Sequence, residues 1–316
     1  TMNDNKIFFE KHNKHNSESQ FIGIFIVLSC GILWGLSGIF NQLIFMNCDM
    51  TTKTLCGIRS ILSGIILLII AFIKNPSRAL SVWKEWKNIL SLIIFAVIGV
   101  MGMQFTYSEA IRQSNAATAT VLQYIYPILM LIYHSIKMRK LPKLYEFVAI
   151  LSSFTGIVLI ATHGNLRSLC ITPAALIIGL LSAFCYLFYT VYPGKLYEKF
   201  GTLIVAAWGQ IISGLSFTFI LGGIAEPFHL TLKSGIFVAG SMLCGVLIPY
   251  VIYGIGVRII GGVKASLFVT IEPVASAVMA YFIIGIRFTF IDIVGFLCIL
   301  ASIEAISIIS SREKCL

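Results

Sequence analysis

The sequence predicts an all-α integral membrane protein in which ten transmembrane helices form two inverted five-helix repeats. Three observations carry this expectation. The 316 residues are 58% hydrophobic and only 11% charged, and their mean hydropathy is +0.94. Ten apolar runs follow one another, each of roughly 18 to 22 residues, enough to cross a bilayer as a helix. The chain also matches itself at a shift of 146 positions, which lays Gly99 on Gly245, Tyr107 on Tyr253 and Pro127 on Pro273. Arg112 then meets Arg258, Ala119 meets Ala265, Glu146 meets Asp292 and Leu151 meets Leu297. A soluble domain is about a quarter charged. A chain this apolar has lipid as its main solvent.

The first five runs fall at about 21–43, 53–73, 89–109, 116–136 and 145–162. The second five fall at about 173–192, 202–222, 235–255, 264–284 and 291–310. The division is therefore a polar tail at 1–20, a first repeat at 21–162, a second at 173–310 and a short tail at 311–316. Connections are too short for an extramembrane domain. With a cytoplasmic N-terminus, the outer side carries Lys53, Arg112, Arg167, Lys233 and Arg287, and Arg59 lies within a span. The other 17 of the 23 basic residues then face the cytoplasm, as the bias of basic residues toward inner loops requires. Both termini are expected inside. An odd number of spans per repeat inverts one half against the other, so Arg112 and Arg258 lie on opposite sides.

The net charge of +10 raises nucleic acid as a partner, but the basic residues occupy short loops and form no stripe with interleaved aromatics. The eight cysteines (30, 48, 56, 170, 185, 244, 298, 315) contain no C-x-x-C and lie mostly in apolar runs, where a free thiol behaves as a small hydrophobe. His12 and His15 sit three apart in the polar tail, a spacing too weak to argue a metal. The sequence has no H-E-x-x-H, G-x-S-x-G or G-x-x-x-x-G-K-[ST], and Gly254-Ile255-Gly256 lies in a span and follows no strand. No enzyme, cofactor or metal is expected. A membrane receptor or assembly protein stays open as an alternative, although it would need a partner-binding loop or domain.

Leu33-Trp34-Gly35 in the first span, Arg59 in the second, Ala116 to Pro127 in the fourth and Glu272-Pro273-Val274 in the ninth occur in this order and spacing. In these the chain resembles the drug/metabolite transporter superfamily, EamA type, from about Gly23 to Ser310. The family often carries Gly-Glu after spans four and nine. Here those places read Lys137-Met138-Arg139-Lys140 and Gly285-Ile286-Arg287, which puts any role of those acidic residues in doubt. The resemblance implies transport of a small polar or amphipathic solute across a bacterial cytoplasmic membrane. By family analogy alone it favours export and puts span ten at the periphery.

Polar side chains at mid-membrane depth usually face a bundle interior or a water-filled cavity. Trp34, Gly38 and Asn41 share one face of span one, while Gly31, Gly35 and Gly38 form a face that lets another helix approach closely. Ser182, Tyr186 and Tyr189 share a face of span six, so Asn41 and Tyr189 would meet one cavity from opposite halves. Gln104 and Tyr107 in span three, Tyr250 and Tyr253 in span eight, and Thr120, Gln123 and Tyr124 in span four complete the proposed lining. Each of these could instead be a packing contact or an interface anchor. Pro127 and Pro273 are expected to bend their helices and act as hinges, or merely to bend them.

Arg59 lies about 10 Å inside span two, where its guanidinium either holds an acidic substrate group or turns to backbone carbonyls and the outer interface. Glu272 stands just before Pro273 and is the expected proton-exchanging group, with an ammonium site or a structural carboxyl as alternatives. Glu304 is expected to serve packing, and Glu109 to pair with Arg112 near the outer end of span three. Together these residues predict alternating access between two inverted repeats, which place one substrate site between two gates. The substrate class is an amino acid or related amphipathic solute, with cationic drugs as the alternative. Protons are the expected coupling ion, and the protein would act as a monomer or homodimer.

Overall fold

Polar residues at the membrane ends start the helices. In the computed structural model, Thr51 accepts the Thr54 amide at 3.3 Å, Asn115 the Thr118 amide at 2.9 Å and Thr172 the Ala175 amide at 3.1 Å. Each supplies an acceptor to a first turn whose N–H donors have no partner in the helix. Left-handed residues end other helices, with Arg139 at φ 52°, His163 at φ 46° and Gly285 at φ 83°. The structure describes residues 2–139, 143–163, 165, 171–222, 231–260, 265 and 268–313, and among them every regular element is helical.

In chain order the longer ones are α1 (Met2–Asn47), α2 (Thr52–Lys74), α3 (Trp86–Gln113), α4 (Ala116–Lys137) and α5 (Leu144–Thr162), with a short helix at Pro76–Leu80 and a 3-10 turn at Ser81–Lys84 between α2 and α3. They continue with α6 (Pro173–Phe200), α7 (Thr202–Phe219), α8 (Leu232–Ile260), α9 (Ile271–Ile284) and α10 (Phe290–Glu313). Eight of them, α1 to α8, are long and apolar enough to cross a membrane, the first over Gln20–Asn47. Helix α9 is shorter, and residues 261–264, 266 and 267 before it lie outside the described residues. The polar start expected as a solvated tail is helical backbone continuous with α1, and its side chains up to Ser19, His12 and His15 among them, lie outside the described residues. Apolar side chains such as Phe25, Leu144, Phe154 and Phe282 are exposed on the outer faces, as a lipid solvent permits.

Two departures from regular α-helix recur at equivalent places. Helices α3 and α8 each contain a π-helical stretch, Phe95–Met101 and Leu243–Leu247, which hold the matched glycines Gly99 and Gly245. The prolines also behave alike, though not as interior kinks. The backbone turns at Tyr124 (ψ 1°) and at the equivalent Thr270 (ψ −2°), and helix resumes with Pro127 or Pro273 inside its first turn. There a proline costs little, because a first-turn N–H has no helical partner to lose. The break precedes each proline instead of centring on it.

Equivalent helices of the two halves pack on each other through glycine. A Cβ on Gly64 would lie 2.8 Å from the Ile211 nitrogen and 3.2 Å from the Ala207 oxygen. One on Gly214 would meet the Ile61 nitrogen at 2.8 Å and the Gly57 oxygen at 3.2 Å. Later residues of α2 thus face earlier residues of α7, so the two helices run antiparallel. Helices α5 and α10 repeat the device. Gly156 faces Gly295, the Ser153 and Ser302 hydroxyls are 2.5 Å apart, and Ser152 donates to the Cys298 carbonyl at 3.0 Å. Gly31 and Gly35 bring α1 against the backbone of Val269 to Ser276, the close approach that the small-residue face predicts.

Glu109 ties α2 to the end of α3. It accepts from Thr52 at 2.6 Å, from Gln113 at 2.8 Å and from Arg112 at 2.5 Å, and it is 8% exposed. Arg112 is half-exposed, so solvent screens the ion pair, and the buried Thr52 contact carries more of the stabilisation. Glu109→Ala is expected to cost about 1–3 kcal/mol, read as a lower unfolding temperature in detergent. On the opposite side of the bundle, the exposed Lys199 donates to both Glu85 oxygens at 3.0 Å and holds that carboxyl below its ordinary range.

Candidate functional site

A cavity of about 430 Å³ lies between the halves, within the size range of small-molecule sites. Helix α1 contributes Trp34 and Ser37, α2 contributes Arg59, and α3 contributes Phe95, Met103, Gln104 and Tyr107. Gln123 of α4 and Tyr186, Tyr189 and Tyr197 of α6 continue the wall. Gln210 of α7, Gly245, Pro249 and Tyr253 of α8, and Glu272 of α9 complete it. The lining extends from Tyr107 to Tyr197 and Thr202, where α6 meets α7. Beyond Tyr107 the wall is closed by a 2.8 Å contact between its hydroxyl and that of Thr120, and by Gln42, which accepts the Ala116 amide at 2.9 Å.

Glu272 reaches the cavity because the chain breaks before Pro273. The proline has no N–H for the Val269 carbonyl, which instead accepts the Glu272 amide at 3.0 Å. The Tyr124 hydroxyl stands 2.8 Å from the Glu272 carboxylate and 3.2 Å from that same carbonyl. From there a chain of rings crosses the cavity wall. Centroid separations are 6.2 Å for Tyr124–Tyr126, 4.2 Å for Tyr126–Tyr186, 6.0 Å for Tyr186–Tyr189 and 5.5 Å for Tyr189–Phe95. Trp34 closes the facing side. Its indole donates to the Gly245 carbonyl at 3.0 Å and its ring lies 5.5 Å from Tyr253. Such surfaces accept apolar rings and cations on their faces.

Among the described residues Arg59 meets no backbone carbonyl, and its burial keeps it from the outer interface. It is 5% exposed and donates to two neutral side chains, Ser241 at 3.2 Å and Gln104 at 2.8 Å. Among the described residues no carboxylate lies within 4.0 Å of it. Gln104 in turn donates to Gln210 at 2.9 Å, linking α3 to α7.

Of the residues expected to line a site, Trp34, Arg59, Gln104, Tyr107, Gln123, Tyr186, Tyr189, Tyr253 and Glu272 border this one cavity. Asn41 does not meet Tyr189 there. It is fully buried behind Arg59, where its Oδ1 accepts from Ser241 at 2.5 Å. Tyr124 is not part of the lining, and its hydroxyl contacts the Glu272 carboxylate from behind the wall. The Tyr250 side chain lies outside the described residues. Glu304 accepts a hydrogen bond from Thr270, a packing contact of α10 with the turn before α9. Gln210, Ser37 and Tyr197 were not expected as lining. Gln210 is a polar residue inside the apolar run at 202–222, and that was the signal for it.

Gly245 is the tightest point of the wall: a Cβ there would fall 2.3 Å from the Ser37 hydroxyl and 3.9 Å from the Arg59 guanidinium. Gly245→Ala is expected to displace Ser37 and reduce transport severalfold while the protein stays folded, checked by initial rates in proteoliposomes beside a thermal melt.

The EamA-like transporter family model matches residues 21–162 and 173–308. The chain is 37% identical over 299 residues to the uncharacterized inner membrane transporter YicL of Salmonella typhimurium, covering 92% of this chain and 97% of that one. A solved crystal structure at 17% identity has the same fold, with a TM-score of 0.60 over 92% of this chain and 98% of that one. With two family matches that between them run nearly from end to end, and a cavity bordered by both halves, the chain belongs to the EamA-like transporter family, whose members are multi-pass membrane transporters.

Proposed function

We propose that this protein is a secondary transporter of the cytoplasmic membrane that moves an amino acid or related amphipathic metabolite by alternating access. The observation that carries the reading is Glu272, set against a wall of aromatic rings in a cavity that both halves enclose. A carboxylate in such a place holds a substrate ammonium or exchanges a proton, and rings beside it accept an apolar side chain. No step of this cycle requires a bond to be made or broken in the solute, so the reading is a carrier and not an enzyme.

Ten spans in two inverted five-helix repeats, with both termini cytoplasmic, complete the proposal. The antiparallel packing of α2 on α7, the paired π turns and the paired breaks before Pro127 and Pro273 support the repeat. In this orientation the Tyr197 and Thr202 end of the cavity faces the cytoplasm and the Glu109 clasp lies at the outer end, so the conformation is inward-facing. The breaks before the prolines are the hinges. Export is the preferred direction.

Counterflow in proteoliposomes tests this. Vesicles preloaded with amino acids, nucleotides or cationic dyes are assayed with and without a proton gradient. Saturable exchange of amino acids, quickened by the gradient, is the expected result. Exchange of the dyes alone would move the assignment to cationic drugs, and a lack of any exchange by folded, inserted protein would overturn the carrier reading.

A further inference from the structure

Arg59 organises more of the cavity than its own position. A guanidinium has five N–H donors and no acceptor, so whatever touches it must present an oxygen. Gln104 therefore offers Oε1 to Arg59, at 2.8 Å, and the same oxygen lies 3.3 Å from the Ser60 hydroxyl. With its oxygen committed, Gln104 has only its amide nitrogen to offer Gln210, whose Oε1 accepts it at 2.9 Å. Gln210 is then oriented as well. Its NH2 has no hydrogen-bond partner among the described residues, and Gln210 borders the cavity. On the other side Ser241 accepts from Arg59 at 3.2 Å and donates its own O–H to the Asn41 Oδ1. The acceptors Gln104 Oε1, Ser241 Oγ and Asn41 Oδ1 are thus used within the wall. What remains for a ligand is donors: the unused N–H groups of Arg59, and the NH2 of Gln210.

We infer that Arg59 and Gln210, held in register by Gln104, form the recognition site for a carboxylate group of the transported solute, and that Gln104 and Gln210 are its specificity-setting residues. Charge selects the class. Arg59 is 5% exposed and its charge meets no carboxylate of the protein within 4.0 Å among the described residues. A buried cation left uncompensated is expensive, and one monoanion balances it. A phosphate dianion would leave excess negative charge in the same dry wall. The planar guanidinium fork also matches a carboxylate geometrically. Glu272 borders the same cavity from α9. A solute with an anionic group at Arg59 and an ammonium toward Glu272 neutralises both, which a simple amine or a simple acid does not.

This inference rests on the carrier reading, and the test keeps the two apart. Radiolabelled L-phenylalanine exchange is measured in proteoliposomes against three competitors: L-phenylalanine, 2-phenylethylamine and L-phenylalanine amide. The last two keep the ring and ammonium but lack the carboxylate. Both should compete roughly tenfold to a hundredfold more weakly than the amino acid, the range expected for loss of a charged hydrogen-bond partner. Gln210→Leu removes only the terminal donor and should erase a large part of that preference, and Arg59→Gln nearly all of it. Should Arg59→Gln fail to fold, Gln210→Leu still decides, alongside the melting-temperature rise of solubilised wild type with each compound. Equal competition by all three compounds, in a protein that exchanges phenylalanine, overturns the carboxylate site alone. No exchange and no thermal shift with any of them overturns the amino-acid reading beneath it.

Discussion

Glu272→Gln is expected to abolish acceleration by a proton gradient and to lower exchange at least about tenfold. The amide is nearly isosteric and can still accept from the Tyr124 hydroxyl now 2.8 Å from the carboxylate, so the break before Pro273 should survive. What is lost is the negative charge and the capacity to bind and release a proton. A hydrogen bond to a charged group is worth about 1.5–3 kcal/mol against about 0.5–1.5 for a neutral one, a difference of about 1–1.5 kcal/mol or about tenfold, to which the lost proton exchange adds. Glu272→Asp retains the charge and should keep gradient dependence at a reduced rate. Initial rates with and without the gradient settle the matter: unchanged acceleration in Glu272→Gln would make Glu272 a structural carboxyl and move coupling elsewhere.

Gly64→Val carries the largest expected effect on stability. At Gly64 a Cβ would lie 2.6 Å from the Ile211 Cγ1, and behind it are two backbone atoms that cannot rotate aside, the Ile211 nitrogen at 2.8 Å and the Ala207 oxygen at 3.2 Å. The helices must separate or shift, which costs about 1–3 kcal/mol for an overpacked core and more where backbone is the obstacle. Gly214→Val should behave alike, because its Cβ would meet the Ile61 nitrogen at 2.8 Å. Gly254→Ala makes the control, since a Cβ there meets nothing within 4 Å. Melting temperatures of the three in one detergent check this, and a Gly64→Val protein as stable as Gly254→Ala would show that α2 and α7 separate without cost.

Much of the fold was legible because the bilayer imposes one length on every span. The boundary at Thr172-Pro173 and the start at Thr51 are capping signals that a sequence displays openly. The cavity was legible where polar or aromatic residues interrupt apolar runs, and so Trp34, Gln104, Tyr107, Tyr186 and Glu272 were found. Asn41 obeyed the same rule and was misplaced. Helical spacing puts a residue on a face but does not say whether that face meets a cavity or, as here, Ser241. The break at Tyr124 was hidden because the proline that permits it lies three residues on, in a position that reads equally as a bend. The π stretches left no signal, since they change how residues are wound and not which residues are present.

Those stretches have a consequence for how this protein tolerates change. A π turn holds one more residue than the α turn it replaces, so the wall of the cavity beyond it depends on chain length as well as on composition. Removing one residue from Phe95–Met101 would let that turn relax to regular winding with the residues after it still on the same faces, whereas removing two would rotate everything after it by about 100°. Met103, Gln104 and Tyr107 would turn away from the solute with no side chain altered. The count of residues between Trp86 and Gln104 thus sets which side chains the wall presents to the cavity, and comparing one-residue with two-residue deletions probes it where substitution scanning does not.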